Sequence, residues 1–553
     1  MPPSTLASNI ASDSAVGFLY SGGAMRPILE RLGNYLPAAI ALALPTVFIP
    51  NAVDSFILPR MSIVIAGACI GTGLALLLPG GPGLGQLRLP LIAAAAAALI
   101  AFAFSVSWPL SLAGAYTRYE SLPVRLSYLG LLAISVWLIR NERGREWVVA
   151  AFVFGTSVAS LEAVIQAAGR VDFRPDGNIG NANLLGALIA MAFPLAVARG
   201  FRLSDRFLVA WWLGAAVMAG GLYVSTSRSG GLGALAGCLA LVVFAFRRPL
   251  WAAGSALVSG ALVSAALWTI VFGPLSLLNN DPARSRLQLW PDALRLIAAR
   301  PVTGWGEDAT GLSFGGFVSA DWAPGVTYDR THSGILETAA TQGILGLAAQ
   351  GWVLLTLLRG IWRHRFSDSV AALGAACIGY TVWVLFNFDW APATGAFWLL
   401  AGTAWSGVRA AETESPATSI ADGASPRGTA TARSLVALAL VAAAVWLSVL
   451  PVLAETWNWE GRSDLAVRVD PLQSRYHWNL GRTLTASGDE HAGVIELQRA
   501  ADLGETEPQL YVDLGDAELR LGDEASARRD YQRALVIDPY YAPAHQRLAD
   551  LGA

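Results

Sequence analysis

Apolar residues recur along the first four-fifths of the chain in runs of about twenty, the length a helix needs to cross a bilayer core. Thirteen such runs begin near residues 34, 61, 89, 122, 147, 182, 207, 229, 251, 333, 370, 392 and 434. Polar connections separate them, and two are long: about 274–332, and a stretch rich in Ala, Ser, Thr, Gly and Pro at 410–433. The pattern predicts an all-α fold, a polytopic transmembrane helical bundle of about 12–13 spans with extracytoplasmic loop helices. Expected boundaries are 1–409 for the membrane domain with its large loop 274–332, 410–433 for a flexible cytoplasmic linker, 434–454 for the last span and 455–553 for a different kind of C-terminal unit.

That unit repeats. An offset of 34 residues pairs Leu480-Gly481 with Leu514-Gly515, Leu497 with Tyr531 and Ala500 with Ala534, while Pro539 and Ala534 find earlier counterparts in Pro471 and Ala466. The tail resembles tetratricopeptide repeats, in which small residues let paired helices approach closely. His477 and Glu518 stand where the repeat usually carries an aromatic and a Tyr. So few units are marginal for independent stability, so the tail is expected to pack against the membrane domain or a protein partner.

Composition agrees with a membrane setting. Of 553 residues 54% are hydrophobic and only 14% charged, where a soluble domain carries about 25% charge. Lys is absent, which leaves Arg as the fixed cation. Cys69, Cys238 and Cys377 lie far apart in apolar runs, without disulfide or zinc spacing. The first thirty residues lack the pattern of a removable signal peptide. No nucleic-acid partner is expected.

Arg26 and Arg31, Arg88, Arg140/Arg143/Arg145, Arg199/Arg202/Arg206, Arg247/Arg248, Arg359/Arg363/Arg365 and Arg409 fall in alternate connections. The positive-inside rule makes that side the cytoplasm. It follows that the N-terminus is cytoplasmic, and that loop 274–332 and the tail lie outside. The short loops of the opposite side contain few cations, Arg60, Arg118, Arg170, Arg174 and Arg228, and these invite a functional explanation.

Three outer stretches carry candidate chemistry. R-P-D-G-N-I-G-N-A-N-L-L-G, Arg174 to Gly186, opens a span, with Asn181 or Asn183 placed to cap it. S-T-S-R-S-G, Ser225 to Gly230, joins two spans by a very short turn. The third begins at Arg284 and Arg286, continues through R-P-V-T-G-W-G-E, Arg300 to Glu307, and ends in Y-D-R-T-H-S-G-I-L-E-T-A-A-T-Q-G-I-L-G, Tyr328 to Gly346. Leu287, Trp290, Leu294 and Ile297 recur there at helical spacing, which predicts an amphipathic interfacial helix. His332 precedes a span, with Glu337 about one turn further. Imidazole is the side chain best suited to general-base work near neutral pH.

In this order, a G-N-x-N helix start after an Arg, an S-R-S-G turn, an Arg ahead of a W-x-x-A-L helix with P-V-T-G-W-G, and H-S-x-x-L-E-x-x-x-x-x-G-I-L-G make residues 120–405 resemble the bacterial O-antigen ligase and polymerase superfamily. Ser333 stands where that family often has Asn. The resemblance implies a metal-independent glycosyltransferase of the bacterial inner membrane, without cofactor. Its donor would be a polyprenyl-diphosphate-linked glycan and its acceptor a hydroxyl on a lipid, a glycan or a protein. Arg228 and Arg286, with Arg284 and Arg174 behind them, are then expected at the diphosphate, and His332 as base or acceptor-orienting residue. Ligase-type transfer comes first, ahead of a polymerase or a protein O-oligosaccharyltransferase. A transporter or flippase, or a scaffold presenting the repeats, is the expectation from other classes.

Overall fold

Among the described residues of the computed structural model, seven helices are long and apolar enough to cross a membrane, and three shorter apolar helices accompany them. The structure describes residues 25–244 apart from 79, 170–171 and 203–204, then 254 and 258–260, 282–413 apart from 323, and 430–552. In chain order the membrane helices are α1 (Met25–Thr46), α2 (Ile57–Leu77), α3 (Arg88–Ala103), the short α4 (Trp108–Ala113), α5 (Leu122–Leu138), α6 (Glu142–Ala168), α7 (Ala182–Gly200), α8 (Leu208–Ser225) and α9 (Arg228–Phe244). There follow α10 (Pro282–Ala299), α11 (Gly334–Arg363), α12 (Asp368–Val384), α13 (Ala391–Thr413), α14 (Ala430–Ala444) and α15 (Leu450–Trp459), the last two joined through a π-helical turn, Val445–Val449. The tail adds α16 (Ser463–Val469), α17 (Ser474–Ala486), α18 (Glu490–Asp502), α19 (Pro508–Arg520), α20 (Glu524–Ile537) and α21 (Ala542–Gly552). The described residues are thus all-α, in keeping with a polytopic membrane bundle that carries a helical tail. Twelve expected runs coincide with helices, and the one near 251 lies outside the described residues except for 254 and 258–260.

Two helices form the centre. Every residue of α7 from Leu184 to Gly200 is buried, and so is α13 from Ala391 to Arg409. Lipid tails are as apolar as Leu, so contact between spans depends on close packing of small residues. A Cβ on Gly230 of α9 would stand 2.6 Å from the Cα of Gly186 in α7, so these two backbones touch only because both positions are glycine.

α11 is broken at Gly343, where φ is 64° and ψ −162°. The P-V-T-G-W-G segment enters the break. Trp305 and Gly306 donate their N–H groups to the carbonyls of Ala340 and Thr341 at 2.8 and 3.0 Å, and Ile344 donates to the Pro301 carbonyl at 2.8 Å. Irregular backbone at such depth is tolerated where protein satisfies it. A Cβ on Gly343 would lie 2.3 Å from the Val302 carbonyl oxygen.

The structure adds detail at two places. In α10, Leu289, Asp292, Ala293 and Leu296 are buried against protein, and Leu294, 56% exposed, lies on the face that protein leaves open. The helix is turned that way because Asp292 accepts hydrogen bonds from the Ser319 N–H (2.9 Å) and the Trp322 indole (2.9 Å). The edges of the 410–433 stretch are helical, since α13 runs to Thr413 and α14 starts at Ala430. The residues between lie outside the described ones.

The tail helices stack as hairpins, α17 on α18 and α19 on α20, with the second pair displaced by 34 residues from the first. Even the caps repeat: Asp489 accepts from the Ala492 N–H and Asp523 from the Ser526 N–H. The tail packs on the membrane domain. Tyr116 and Tyr476 both donate to the Glu455 carboxylate, at 2.7 and 3.0 Å, and a Cβ on Gly315 would meet the Ile537 carbonyl oxygen at 2.2 Å. At the opposite end of the bundle, Arg199 and Arg202 pair with Glu146, and Arg202 also pairs with Asp368.

Candidate active site

His332 sits in the turn that feeds α11, on the tail-bearing face. Its φ of 54° is left-handed, a conformation unusual for a residue with a Cβ. Thr117, Tyr119, Thr226 and Asp308 share that region, and all five lie in connections of this one face. Backbone strain of this kind persists only where surrounding structure imposes it, and it gathers at functional sites.

The clamp is visible. Glu337, one turn into α11, accepts from the Thr331 N–H (2.9 Å), the Thr331 hydroxyl (3.0 Å) and the Arg330 guanidinium (2.9 Å). Arg330 also pairs with Asp308, whose other oxygen accepts from the N–H groups of Ala115 (2.8 Å) and Glu120 (2.9 Å). Arg330, Asp308 and Glu337 are all buried. Next to the clamp, Arg118 donates to Asp329 at 2.7 Å, so both residues that precede Thr331-His332, Asp329 and Arg330, are tied down by ion pairs.

A second buried ion cluster fixes the opposite wall. Arg125, near the start of α5, pairs with Glu307 (3.0 Å) and Asp389, with Glu120 at 4.0 Å. Gln342 donates to Glu307, Tyr128 to Glu120 (2.6 Å) and Tyr380 to Asp389 (3.1 Å). The cluster joins the 307 segment to the 385–390 connection, which brings Phe388 and Trp390 to the site. The His332 ring meets Phe388 edge-on at 5.3 Å. Arg118 lies over Phe388 and Trp390 at 5.3 and 5.0 Å, and Arg330 over Phe388 at 5.7 Å.

Two of the residues expected from sequence meet here. Arg286 donates to the Phe386 carbonyl at 2.8 Å, and its charge reaches His332. Burial, and then the Arg286 cation, push the imidazole pKa down to about 4. Arg118 and Arg330 act in the same direction, and Asp329 opposes them. The ring is therefore neutral at physiological pH, with a lone pair available to a proton or a donor.

Arg174 and Arg228 form a second group. Arg174 donates to the Ser225 carbonyl (2.8 Å) and to the Asn183 side chain (3.3 Å), and burial together with the Arg228 cation lowers its pKa. Arg228 is exposed at the start of α9, after the left-handed turn at Thr226. Asn181 caps α7 through the N–H groups of Asn183 (2.8 Å) and Leu184 (3.2 Å). The two groups are bridged by α12: Trp383 donates to the Asn183 carbonyl at 3.0 Å, and the chain then runs three residues to Phe386, the partner of Arg286. The Arg284 side chain lies outside the described residues.

Other outer polar residues are structural. Arg60 is buried and donates to the carbonyls of Leu44, Phe56 and Asn178, each at 2.7 Å, which ties the end of α1 to the connections before α2 and α7. Gln166 accepts from the N–H groups of Asp176 and Gly177. Arg170 lies outside the described residues.

Sequence reasoning did not single out Arg125, Asp389, Phe388 or Trp390. The available signals were an Arg inside an apolar run and the compact N-F-D-W between two spans. In the sequence Arg118 stands out only as a cation in a short outer loop.

A search of curated proteins finds no match to the chain. Residues 213–351 match the family model Wzy_C, described as O-antigen ligase, a segment that contains Arg228, Arg286 and His332 and ends just beyond the break in α11. The protein is membrane-embedded and carries an O-antigen-ligase-type domain, in keeping with glycan transfer of that general kind.

Proposed function

We propose that the protein transfers a glycan from a polyprenyl-diphosphate donor to an acceptor hydroxyl at the outer face of the bacterial cytoplasmic membrane, as an O-antigen-ligase-type enzyme. The observation that carries the reading is a neutral imidazole beside a guanidinium, His332 with Arg286, inside the segment that matches the ligase family. Guanidinium groups pair with phosphate oxygens in a bidentate way and stay charged. Arg286 would hold the diphosphate, with Arg228 and Arg174 as the second cationic group, and Arg284 remains a candidate. His332 would accept the proton of the attacking hydroxyl. The acceptor oxygen bonds to the anomeric carbon, the bond to the diphosphate oxygen breaks, and the polyprenyl diphosphate leaves with the electron pair.

Orientation follows from the arginines. Arg199, Arg202 and Arg409 crowd the face opposite the site, and the positive-inside rule makes that face cytoplasmic. On this reading the N-terminus is inside and the tail outside. The 34-residue spacing of its hairpins supports tetratricopeptide-type repeats.

Replacing His332 by Ala, or Arg228 or Arg286 by Ala, is expected to lower glycan transfer in membranes by about 100-fold to 1000-fold, the usual loss when one electrostatic stabiliser is removed. Arg228→Lys is expected to be impaired as well. Near-normal turnover in all three Ala variants, at normal expression, sinks the assignment. A deletion strain separates the acceptors: accumulated long lipid-linked chains indicate lost ligation, and accumulated single repeat units indicate lost polymerisation.

A further inference from the structure

α11 carries the chain from the turn at His332 to Arg363, so its last residues stand at the face opposite the site. α9 runs the same way, from Arg228 to Phe244. Between these two helix ends and α12 lies a cavity of about 430 Å³. Ala240 and Val243 of α9, Leu358 of α11 and Ile378 of α12 give it an apolar wall. Val243 and Leu358 are exposed, so that wall is open to the lipid around the bundle. Phe244 and Trp362 line it too, and their rings meet edge-on at 6.2 Å where α9 and α11 end.

Two cations line the same cavity, Arg359 and Arg363, about one turn apart on α11. Neither side chain has a hydrogen bond or an ion pair to another described residue. Other arginines of this face are engaged: Arg199 and Arg202 with Glu146, Arg409 with Glu412, and Arg365 with the Trp362 ring at 4.2 Å. Among the described residues no carboxylate lines the cavity. Like charges at i and i+4 of a helix repel each other, and an anion placed between them removes that repulsion.

An apolar hollow beside two cations fits a ligand with an apolar part and an anionic part. Guanidinium groups take phosphate oxygens through paired N–H donors, and Trp side chains settle where the apolar core meets the headgroups. A free phosphate would use the arginines and leave the apolar wall unused. The volume lies within the roughly 300–1,000 Å³ of small-molecule sites, which suits part of one acyl chain rather than a whole two-chain lipid.

We infer that this cavity holds an anionic phospholipid, its phosphate between Arg359 and Arg363 and the start of one acyl chain against α9, α11 and α12. On the orientation proposed above, this end lies in the cytoplasmic leaflet, where basic pockets between spans take up anionic headgroups. The site is separate from glycan transfer, since neither His332 nor Arg174, Arg228 or Arg286 lines the cavity.

Native mass spectrometry of the full chain in detergent tests the inference. The probe is dioleoylphosphatidylglycerol, with dioleoylphosphatidylcholine as the zwitterion carrying the same chains and glycerol 3-phosphate as an anionic head without chains. The anionic lipid is expected to be retained at least about tenfold more strongly than the zwitterion, the worth of hydrogen bonds to a charged group, and glycerol 3-phosphate is expected not to be retained. Combining Arg359→Gln with Arg363→Gln should bring the anionic lipid down to the level of the zwitterion. Both side chains are exposed and without a partner among the described residues, so the thermal midpoint without lipid should not fall. Arg140→Gln with Arg143→Gln removes as much charge from exposed positions of the same face and should leave retention unchanged. The inference is overturned if the zwitterion is retained as well as the anionic lipid, if glycerol 3-phosphate binds as well as the lipid, or if the Arg140/Arg143 pair matters as much as the Arg359/Arg363 pair.

Discussion

His332 owes its chemistry to its neighbours. An isolated imidazole titrates near 6.5, and here burial and the Arg286 cation hold it near 4. Such a ring is a weak base until an anion offsets Arg286, which the donor diphosphate would do. The acid limb of kcat/KM, which reports the free enzyme, is therefore expected near pH 4, and the limb of kcat at a higher pH. Rate profiles measured between pH 4 and 8 check this, and identical limbs in the two parameters count against it. The stability linkage has a definite sign. Below about pH 6.5 the unfolded chain takes up a proton that the folded one refuses, so this group removes stability as pH falls from 6.5 towards 4. Unfolding midpoints across the same range separate the two effects. Arg330 makes a different prediction, because it neutralises two buried carboxylates, Asp308 and Glu337. Arg330→Met leaves both uncompensated and is expected to cost about 3–5 kcal/mol of stability. A smaller loss is expected for Glu337→Gln, which keeps the shape and still accepts hydrogen bonds. Denaturation of the two variants in one detergent provides the comparison, and equal midpoints would show that the charges are not what holds the turn.

Among the elements, α11 shows best what could be read from sequence and what could not. Its start at His332-Ser333 was legible, because a polar run gives way there to apolar periodicity. The break at Gly343 was not, since one glycine in a span is common and only the P-V-T-G-W-G segment, forty residues earlier, explains it. That insertion carries Glu307 and Asp308 to Arg125 and Arg330. In the same way Arg118 became intelligible only once the 385–390 connection delivered Phe388 and Trp390 beneath it. α10 was legible as a helix from its apolar spacing, but its protein-facing side was not, because Asp292 is buried there through side-chain hydrogen bonds rather than hydrophobicity. Motifs near the site could be found in the chain; the ion pairs that position them join residues as far apart as Arg125 and Asp389. Gly343→Ala follows from this geometry. The new methyl group would strike the Val302 carbonyl in a backbone conformation L residues rarely adopt. Strain of roughly 1–3 kcal/mol, added to the clash, is expected to displace the inserted segment and lower transfer as much as stability. Gly351→Ala, further along α11 with nothing within 4 Å of its Cβ position, is the matched control and should behave as wild type.

On the scale of the whole molecule, the tail is joined to the site rather than suspended from a span. Arg475 stacks over Tyr116 at 4.9 Å and pairs with Glu505, and the Thr506 methyl lies 3.2 Å from where a Cβ on Gly311 would be, close beside Asp329. Glu507, with Arg475 between, feels the charges of both Arg118 and Asp329. A repeat array this short cannot bury much core by itself, and its docking face is supplied by the 104–121 and 306–317 connections that also form the site. Gly315 is the narrowest point of the contact, since any side chain there must push away the α20 backbone at Ile537. Gly315→Leu is therefore expected to lift the second hairpin from the membrane domain while the transmembrane bundle, which Gly315 does not enter, keeps its fold. Limited proteolysis should then cut the 521–553 region faster than in the wild type, and glycan transfer should fall because the 306–317 connection loses its cover. Gly316→Leu, at the next position but with open space around its Cβ, should alter neither. If Gly315→Leu accelerates proteolysis yet leaves transfer intact, the tail is a passenger beside the site; if both change together, the repeats are part of the catalytic architecture.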